Sequence, residues 1–344
     1  MSTDYDLKAI LAEVATGEKL NEKQAEQAFN VLMSGQATPS QMGAFLMGLR
    51  LRGETVDEIT GAARVMRAKA TGIIAPENAV DTCGTGGDGS GTYNISTAAA
   101  IVAAAAGATV AKHGNRAASS KSGSADVLMA LGVNLDADMA LLEKALKNIN
   151  LCFMMATRHH SAMRHVMPTR VEMGTRTIFN LLGPLANPAK TKRQVLGVFA
   201  REWVEPIANV LNRLGSVHAW VVHGHDGLDE ISTTGPTFGA EVKNGKVTTF
   251  EISPGDYGIE TVTLDALKGG DADVNAKAIL DLLAGQKSAY RDIVLMNAGA
   301  ALVVTDIASD LADGIKKAAD AIDSGKAAET LQGLVKITNE GNAA

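Results

Sequence analysis

One stretch constrains this chain more than any other: Asp81–Thr97, which reads DTCGTGGDGSGTYNIST. Its five glycines, Gly84, Gly86, Gly87, Gly89 and Gly91, follow an extended run that begins at Val80. After Ser96 and Thr97 comes an Ala/Ile/Val run with no breaker before Gly107. The order is strand, glycine loop, helix start. Glycine admits positive φ and lets backbone approach a ligand without a side chain in the way. Successive N–H groups then converge on one concavity, which suits an anion. The helix N-terminus adds unpaired N–H groups and the positive end of its dipole, and Ser96 and Thr97 stand where a cap or first-turn hydroxyl lies. A Walker A loop is excluded, because no Gly-Lys-Ser/Thr follows at the required spacing. The insertion Ser90–Asn94 is too long for the tight dinucleotide turn. The stretch reads as a phosphate cradle of another design, with a mobile surface loop as the alternative.

The surrounding rhythm gives the fold class. Residues 1–72 read as helices only. Three N-terminal capping signals stand out: Asn21 with Gln24, Thr38-Pro39 with Gln41, and Thr55 with Glu58. Apolar spacing at Phe45, Leu46, Leu49 and at Ile59, Ala62, Ala63, Met66 is helical. From about 75, short β-like runs (78–82, 108–112, 150–155, 193–199, 217–222) alternate with helices, which predicts an α/β fold with a mostly parallel sheet. Thr169–Leu182 interrupts as a helix, with Pro168 at its start and Gly183-Pro184 as its stop, and is expected to pack back on the N-terminal helices. The C-terminal part is again helical, clearest at 273–284 and 288–304. The expected organisation is a small discontinuous helical domain (1–72 with about 168–190) and a larger α/β domain (73–167 and 191–344), its central sheet flanked by helices.

Charge and cysteine usage narrow the function classes. A formal net charge of −6 argues against a general nucleic-acid or anionic-membrane binder. The longest apolar run, Ala98–Ala111, is too short for a membrane span. The N-terminus lacks a basic segment ahead of a long apolar core, so it does not read as a signal peptide. Two distant cysteines, Cys83 and Cys152, point to a reducing compartment and a cytoplasmic location.

Three further stretches look chemical. Lys112–Asp126, KHGNRAASSKSGSAD, follows a β-like run and offers a cation, a guanidinium and several small hydroxyls. That composition suits an anion at a strand's carboxyl end, or a solvated loop ahead of a helix. The run Val221–Ser232 ends a hydrophobic strand in a loop carrying Asp226, Asp229 and Glu230. Adjacent carboxylates suit Mg²⁺, which completes its shell with waters and phosphate oxygens. His223 and His225 lack a third ligand at zinc spacing. In the third stretch, Arg170 suits bidentate pairing with a substrate carboxylate, whereas Arg176 is as well suited to pairing with a protein acid. His159 and His160 read as general acid/base groups or as polar loop residues.

Together GTGGDG, NIST, KHGNRAASSKSGSAD, RTIFNLLGPLANP and DGLDEIS, in this order and over nearly the whole chain, resemble the anthranilate phosphoribosyltransferase family. The resemblance implies a homodimer built through the helical part. It implies transfer of a phosphoribosyl group from 5-phosphoribosyl 1-diphosphate to anthranilate, with Mg²⁺, two per subunit. Residues similar to the family's donor ligands are Gly84, Gly87, Asp88, Thr92, Asn94, Ile95, Ser96 and Thr97. A second donor segment comprises Lys112, His113, Gly114, Asn115, Arg116, Ala117, Ala118, Ser119, Ser120 and Ser124. Ser96, Asp229 and Glu230 match the metal ligands. Gly84, Asn115 and Arg170 match the anthranilate contacts, and His113 and His160 line the same path; no general base is implied.

Departures from the family pattern fall at Met154–Arg158, Met167, Met129 and Thr82-Cys83. Arg158 is expected to add positive charge near the anthranilate entrance. Two other classes compete. A pyrimidine nucleoside phosphorylase of the same superfamily shares the Lys-His and Gly/Ser-loop style, but the Asp229-Glu230 pair and Asn115 favour the transferase. A non-catalytic relative binding nucleic acid on a basic face is disfavoured by the net acidity and the intact acids.

Overall fold

A computed structural model describes residues 7–117 and 121–341. Residues 7–70 form helices Leu7–Ala15, Glu22–Met33, Pro39–Arg52 and Val56–Lys69. The starts of the last three follow from local chemistry. At Asn21, Thr38 and Thr55 the cap side chain accepts from the third helical N–H, and the third residue's side chain accepts from the cap N–H in return. These reciprocal bonds satisfy donors that the helix itself leaves unpaired. The apolar stripes of the four helices close on Phe29, Phe45, Leu46, Leu49 and Ile59, all fully buried.

The rest is built on a sheet of seven strands: β1 (Val80–Gly84), β2 (Val110–Gly114), β3 (Leu151–Met155), β4 (Arg193–Gly197), β5 (His218–Gly224), β6 (Thr237–Lys243) and β7 (Lys246–Ile252). The spatial order is β3-β2-β1-β4-β5-β6-β7. The first five strands pair in parallel, and β6 and β7 add antiparallel. Side chains alternate between faces, as strand pleating requires. Val195 and Val222 pack with helices Ile95–Ala105 and Ala289–Val304 on one side. Leu196 and Val221 pack with helix Val204–Arg213 and the N-terminal helices on the other. Burial on both faces explains why the parallel strands read as near-continuous apolar runs. Strand order reverses between β1 and β4, and a crevice opens at the carboxyl ends of strands at such a point.

Two expectations need correction. The single helix expected over 169–182 is two short ones, Met167–Met173 and Phe179–Leu185. Gly174, at φ 58°, takes the left-handed conformation that ends the first. Gly183 and Pro184 lie inside the second, beyond which the chain turns at Ala186. Phe179 does pack edge-on against Phe29, with ring centroids 5.6 Å apart, so this segment joins the core of the N-terminal helices. The second correction is the β6–β7 hairpin, which the alternation of strands and helices does not announce. Its turn is Asn244-Gly245, with φ of 52° and 76°, the positive values a two-residue hairpin turn needs.

Candidate active site

The crevice at the carboxyl ends of β1, β2 and β5 is a hollow of about 420 Å³. Its walls come from three distant parts of the chain. Gly84, Gly87, Asp88, Thr92, Asn94, Ile95, Ser96 and Thr97 form the first, and Lys112 to Ala117 with Ser124 the second. Asp229 and Glu230 form the third, and Arg170 reaches in from helix Met167–Met173. Ala118, Ser119 and Ser120 lie outside the described residues. His160 sits behind the wall, its ring 5.1 Å from that of His113.

The glycines of the loop serve two different ends. Gly86, Gly87, Gly89 and Gly91 have φ between 64° and 75°, the left-handed region that glycine enters freely. Gly84, the last residue of β1, is needed for space. A Cβ there would collide with the Asp229 carboxylate, and a Cβ at Gly197, the end of β4, would collide with the Asp229 backbone. The acidic turn therefore lies directly against two strand ends, and Gly86 N donates to Asp229 Oδ2 at 2.6 Å.

Glu230 bridges the walls. Its Oε1 accepts from Ser96 N, in the first turn of helix Ile95–Ala105, at 3.0 Å. Lys112 Nζ, nearly all of its side chain buried, donates to the Thr82 carbonyl and, at 3.3 Å, to Ser96 Oγ. Burial pushes the Asp229 carboxyl up to about 6, with the charge of Asp88 adding to it. Burial pushes Glu230 up to about 8, with Asp229 adding to it. One lysine thus does not offset the crowded acids. The turn that carries them is laced by Asp226, which accepts from Leu228 N (3.1 Å), Ser232 Oγ (2.8 Å) and Thr234 Oγ1 (2.5 Å).

Several loop residues brace the cradle from within. Asp88 accepts from Ser90 N and Ser90 Oγ at 3.2 and 2.6 Å. Asn94 donates to the Ser122 carbonyl and accepts from Asn275, at 3.2 and 2.9 Å. Lys268 Nζ holds the Ser90 carbonyl at 2.9 Å. Asn115 Oδ1 accepts from Arg116 N at 2.9 Å, and Arg116 lies 3.5 Å from Asp126.

The arginines diverge from one another. Arg170 stacks over Phe179, 5.3 Å from the ring centroid, and touches the Met167 sulfur at 3.7 Å. Among the described residues it has no ion-pair partner, so its charge faces the hollow. Arg176 does not pair with an acid among the described residues. It donates to the Gly87 carbonyl and covers Phe199 at 4.3 Å, bracing the glycine loop from the helical side. Arg158 does not reach the hollow either: it is tied to the Leu135 and Ala137 carbonyls. His223 turns away to the Val198 carbonyl, 2.7 Å from Nδ1.

The histidine pair is poorly partnered. His113 Nε2 and both nitrogens of His160 are buried without a well-formed hydrogen bond among the described residues, the nearest backbone partners being Gly183 for His113 and Ala186 for His160. Burial, reinforced by His160, pushes His113 down to about 3. Burial, reinforced by His159, pushes His160 down to about 4. Both imidazoles are neutral near pH 7 and poor bases.

Sequence reasoning missed Asp226 as a brace, Arg176 as a loop contact, and Lys268, Tyr290 and Asn297 altogether. Nothing local marks the last three, which reach the site from far along the chain.

Comparison with known proteins fits this arrangement. Residues 8–70 match the helical bundle domain of a glycosyl transferase family, and 76–328 match its a/b domain. The chain is 66% identical to the anthranilate phosphoribosyltransferase of Azospirillum brasilense over 97% of this chain and 94% of that one. It is 61% identical to that of Rhodospirillum rubrum, over 98% and 97%. Among solved structures, the anthranilate phosphoribosyltransferase of Thermus thermophilus is 42% identical, with a TM-score of 0.91 over 96% of this chain and 99% of that one. The Saccharomyces cerevisiae enzyme in complex with PRPP and Mg is 27% identical, with a TM-score of 0.88 over 97% and 98%. An acid pair set against a glycine cradle at a strand-order reversal, in a chain this similar to those enzymes throughout its length, places it in the anthranilate phosphoribosyltransferase family.

Proposed function

We propose that the protein transfers the 5-phosphoribosyl group from 5-phosphoribosyl 1-diphosphate to the amine of anthranilate, releasing pyrophosphate, as a step of tryptophan biosynthesis. The carrying observation is the Asp229–Glu230 pair pressed against the glycine loop, with its carboxyls pushed up to about 6 and 8 by burial and mutual charge. Such a pair calls for a cation. No group of three or more His, Cys, Asp or Glu side chains gathers for a metal among the described residues. The two adjacent carboxylates suit a hard ion that takes one or two of them and fills its shell from waters and phosphate oxygens. Ser96, Asp229 and Glu230 would hold Mg²⁺, two ions per subunit. Bound there, the metal supplies positive charge to the departing pyrophosphate.

The chain's own groups do the rest. N–H groups of the glycine loop and of the start of helix Ile95–Ala105, beyond those already held by Asp88, Asp229 and Glu230, would bind donor phosphates, aided by Lys112, Asn115, Arg116 and the hydroxyls after it. Arg170 pairs with the acceptor carboxylate, beside Asn115 and Gly84. The C1–O bond of the ribose breaks toward pyrophosphate, and the amine attacks C1 from the opposite face. Anthranilate's amine is already unprotonated at pH 7, so its proton leaves after attack. The neutral imidazoles of His113 and His160 shape the acceptor's path and take no proton first. Positioning does most of the work.

For the assembly we propose a homodimer through the helical part, supported by Leu51 and Met47, exposed on helix Pro39–Arg52. For the domain division at about 72, 168 and 190, the packing of Phe179 on Phe29 supports assigning the 168–190 segment to the helical part. A cytoplasmic setting is supported by two free, buried cysteines; among the described residues no helix is long and apolar enough to cross a membrane.

The test is the fluorescence of anthranilate in the presence of donor and Mg²⁺. A decay that disappears with EDTA and in Asp229→Ala/Glu230→Ala is expected. Decay indifferent to metal, or retained by the double variant, overturns the reading. Arg170→Ala should raise the anthranilate KM at least about tenfold, the worth of a charged hydrogen bond; an unchanged KM removes that role.

A further inference from the structure

The metal site has two halves that are far apart in the chain: Ser96, at the start of helix Ile95–Ala105, and the turn bearing Asp229 and Glu230. One helix, Ala289–Val304, touches both. Tyr290 Oη donates to the Asn94 carbonyl at 3.2 Å, two residues before Ser96, and its ring stacks on Tyr93 with centroids 4.5 Å apart. Asn297 grips the backbone next to Glu230 from both sides: Ile231 N donates to Oδ1 at 3.0 Å and Nδ2 donates to the Ile231 carbonyl at 2.8 Å. Nδ2 also holds the Ile293 carbonyl at 2.9 Å, which fixes the amide on its own helix. Tyr290 is 4% and Asn297 2% exposed. Residues seven apart lie on one helix face, separated by roughly 10.5 Å at about 1.5 Å per residue.

We propose that Tyr290 and Asn297 are positioning residues that make this helix a fixed ruler for the metal site, setting the distance from the Ser96 turn to the Asp229–Glu230 turn. The inference rests on the metal reading given under Proposed function. Its physical ground is that a helix in a close-packed core does not stretch, whereas the glycine loop and the acidic turn lie outside regular helix and strand. Groups that orient metal-ligating carboxylates set affinity without touching the ion.

Tyr290→Phe removes one hydroxyl and keeps the ring; Asn297→Ser removes the two-sided grip. Mn²⁺ binding in the presence of pyrophosphate, followed by electron paramagnetic resonance, should weaken about tenfold in Asn297→Ser and by less in Tyr290→Phe. The Mg²⁺ concentration for half-maximal rate should rise in parallel, while the anthranilate KM stays fixed. Amide hydrogen exchange of segment 226–232 should quicken in Asn297→Ser even without metal. A variant that melts earlier yet keeps wild-type Mn²⁺ affinity has lost only packing and overturns the proposal, as does faster exchange spread evenly over the fold. If the wild-type protein itself binds no Mn²⁺ with pyrophosphate, the metal reading fails and takes the ruler with it. Should Tyr290→Phe, which leaves the core filled, shift nothing, the Asn94 end of the ruler is refuted.

Discussion

The N-terminal helices and the crevice at the strand ends are built on opposite principles. In the helices each local choice agrees with the whole. Caps at Asn21, Thr38 and Thr55 start three of them, and an apolar stripe buries their Phe and Leu residues. The crevice breaks those rules in one place. It holds four glycines with positive φ, an acid pair crowded by burial, and two buried imidazoles with nitrogens that lack a well-formed hydrogen bond. Consistency across levels marks a foldable element, and local violations mark sites where function sets the terms. The glycosyl transferase activity and the stability of the fold should therefore respond to different substitutions.

The largest expected effect is Gly197→Ala. A single added methyl meets the Asp229 backbone, so the acid turn must move. We expect turnover to fall by about a thousandfold or more, since displacements of about 1 Å cost roughly a hundredfold on their own, with the N-terminal helices still folded by circular dichroism. Near-normal turnover would show that the turn can shift without loss and would erase the contrast. Next comes Phe29→Ala. It empties the ring contacts to Phe45 and Phe179 and should cost about 3–5 kcal/mol of unfolding free energy, while kcat measured well below the melting temperature stays close to wild type.

The histidine pair gives a smaller, pH-dependent effect. Folding depresses both imidazoles below the ordinary value of 6.5, to about 3 and about 4. The unfolded chain therefore binds more protons as pH falls below 6.5. The stability these groups contribute is complete above that value and is lost as pH drops toward 4. For His160 alone this comes to roughly 2–3 kcal/mol near pH 4.5. Melting curves from pH 7 to 4.5 should show a steeper decline in the wild type than in His160→Gln; parallel declines would refute the assignment. The smallest effect is Thr38→Ala. It removes one cap and should cost about 1 kcal/mol, read from urea unfolding, with kinetics unchanged.

What the sequence reveals follows the same division. Capping boxes and the five parallel strands are short-range patterns, and a reader finds them within a few residues of their true bounds. The β6–β7 hairpin is equally local, with Asn244-Gly245 between alternating residues, but it falls outside the rhythm of strands followed by helices. The break at Gly174 was hidden because Gly-Thr-Arg continues a helical apolar spacing on either side of it. The site was legible where its residues cluster in long glycine- or charge-bearing runs. It was silent where one polar side chain in an apolar helix does the bracing. Asn297 sits among Met296, Ala298 and Gly299, and only the fold brings it to Ile231. Arg176 shows the same limit: composition offered an acid as its partner, and geometry gave it a carbonyl of the glycine loop.

The grip of Asn297 on Ile231 also dates the site within the life of each molecule. A chain emerges from the ribosome N-terminus first, and its units fold as they appear. The four N-terminal helices can close soon after residue 70 is out, though their core waits for Phe179. The acid turn emerges with no partner for Ile231 and must wait for some sixty-six further residues before its backbone is gripped. A nascent or truncated chain that ends before helix Ala289–Val304 would then carry every ligand of the proposed metal and lack the helix that braces both halves of the site. Competence waits for helix Ala289–Val304, well after the acid turn itself has been made.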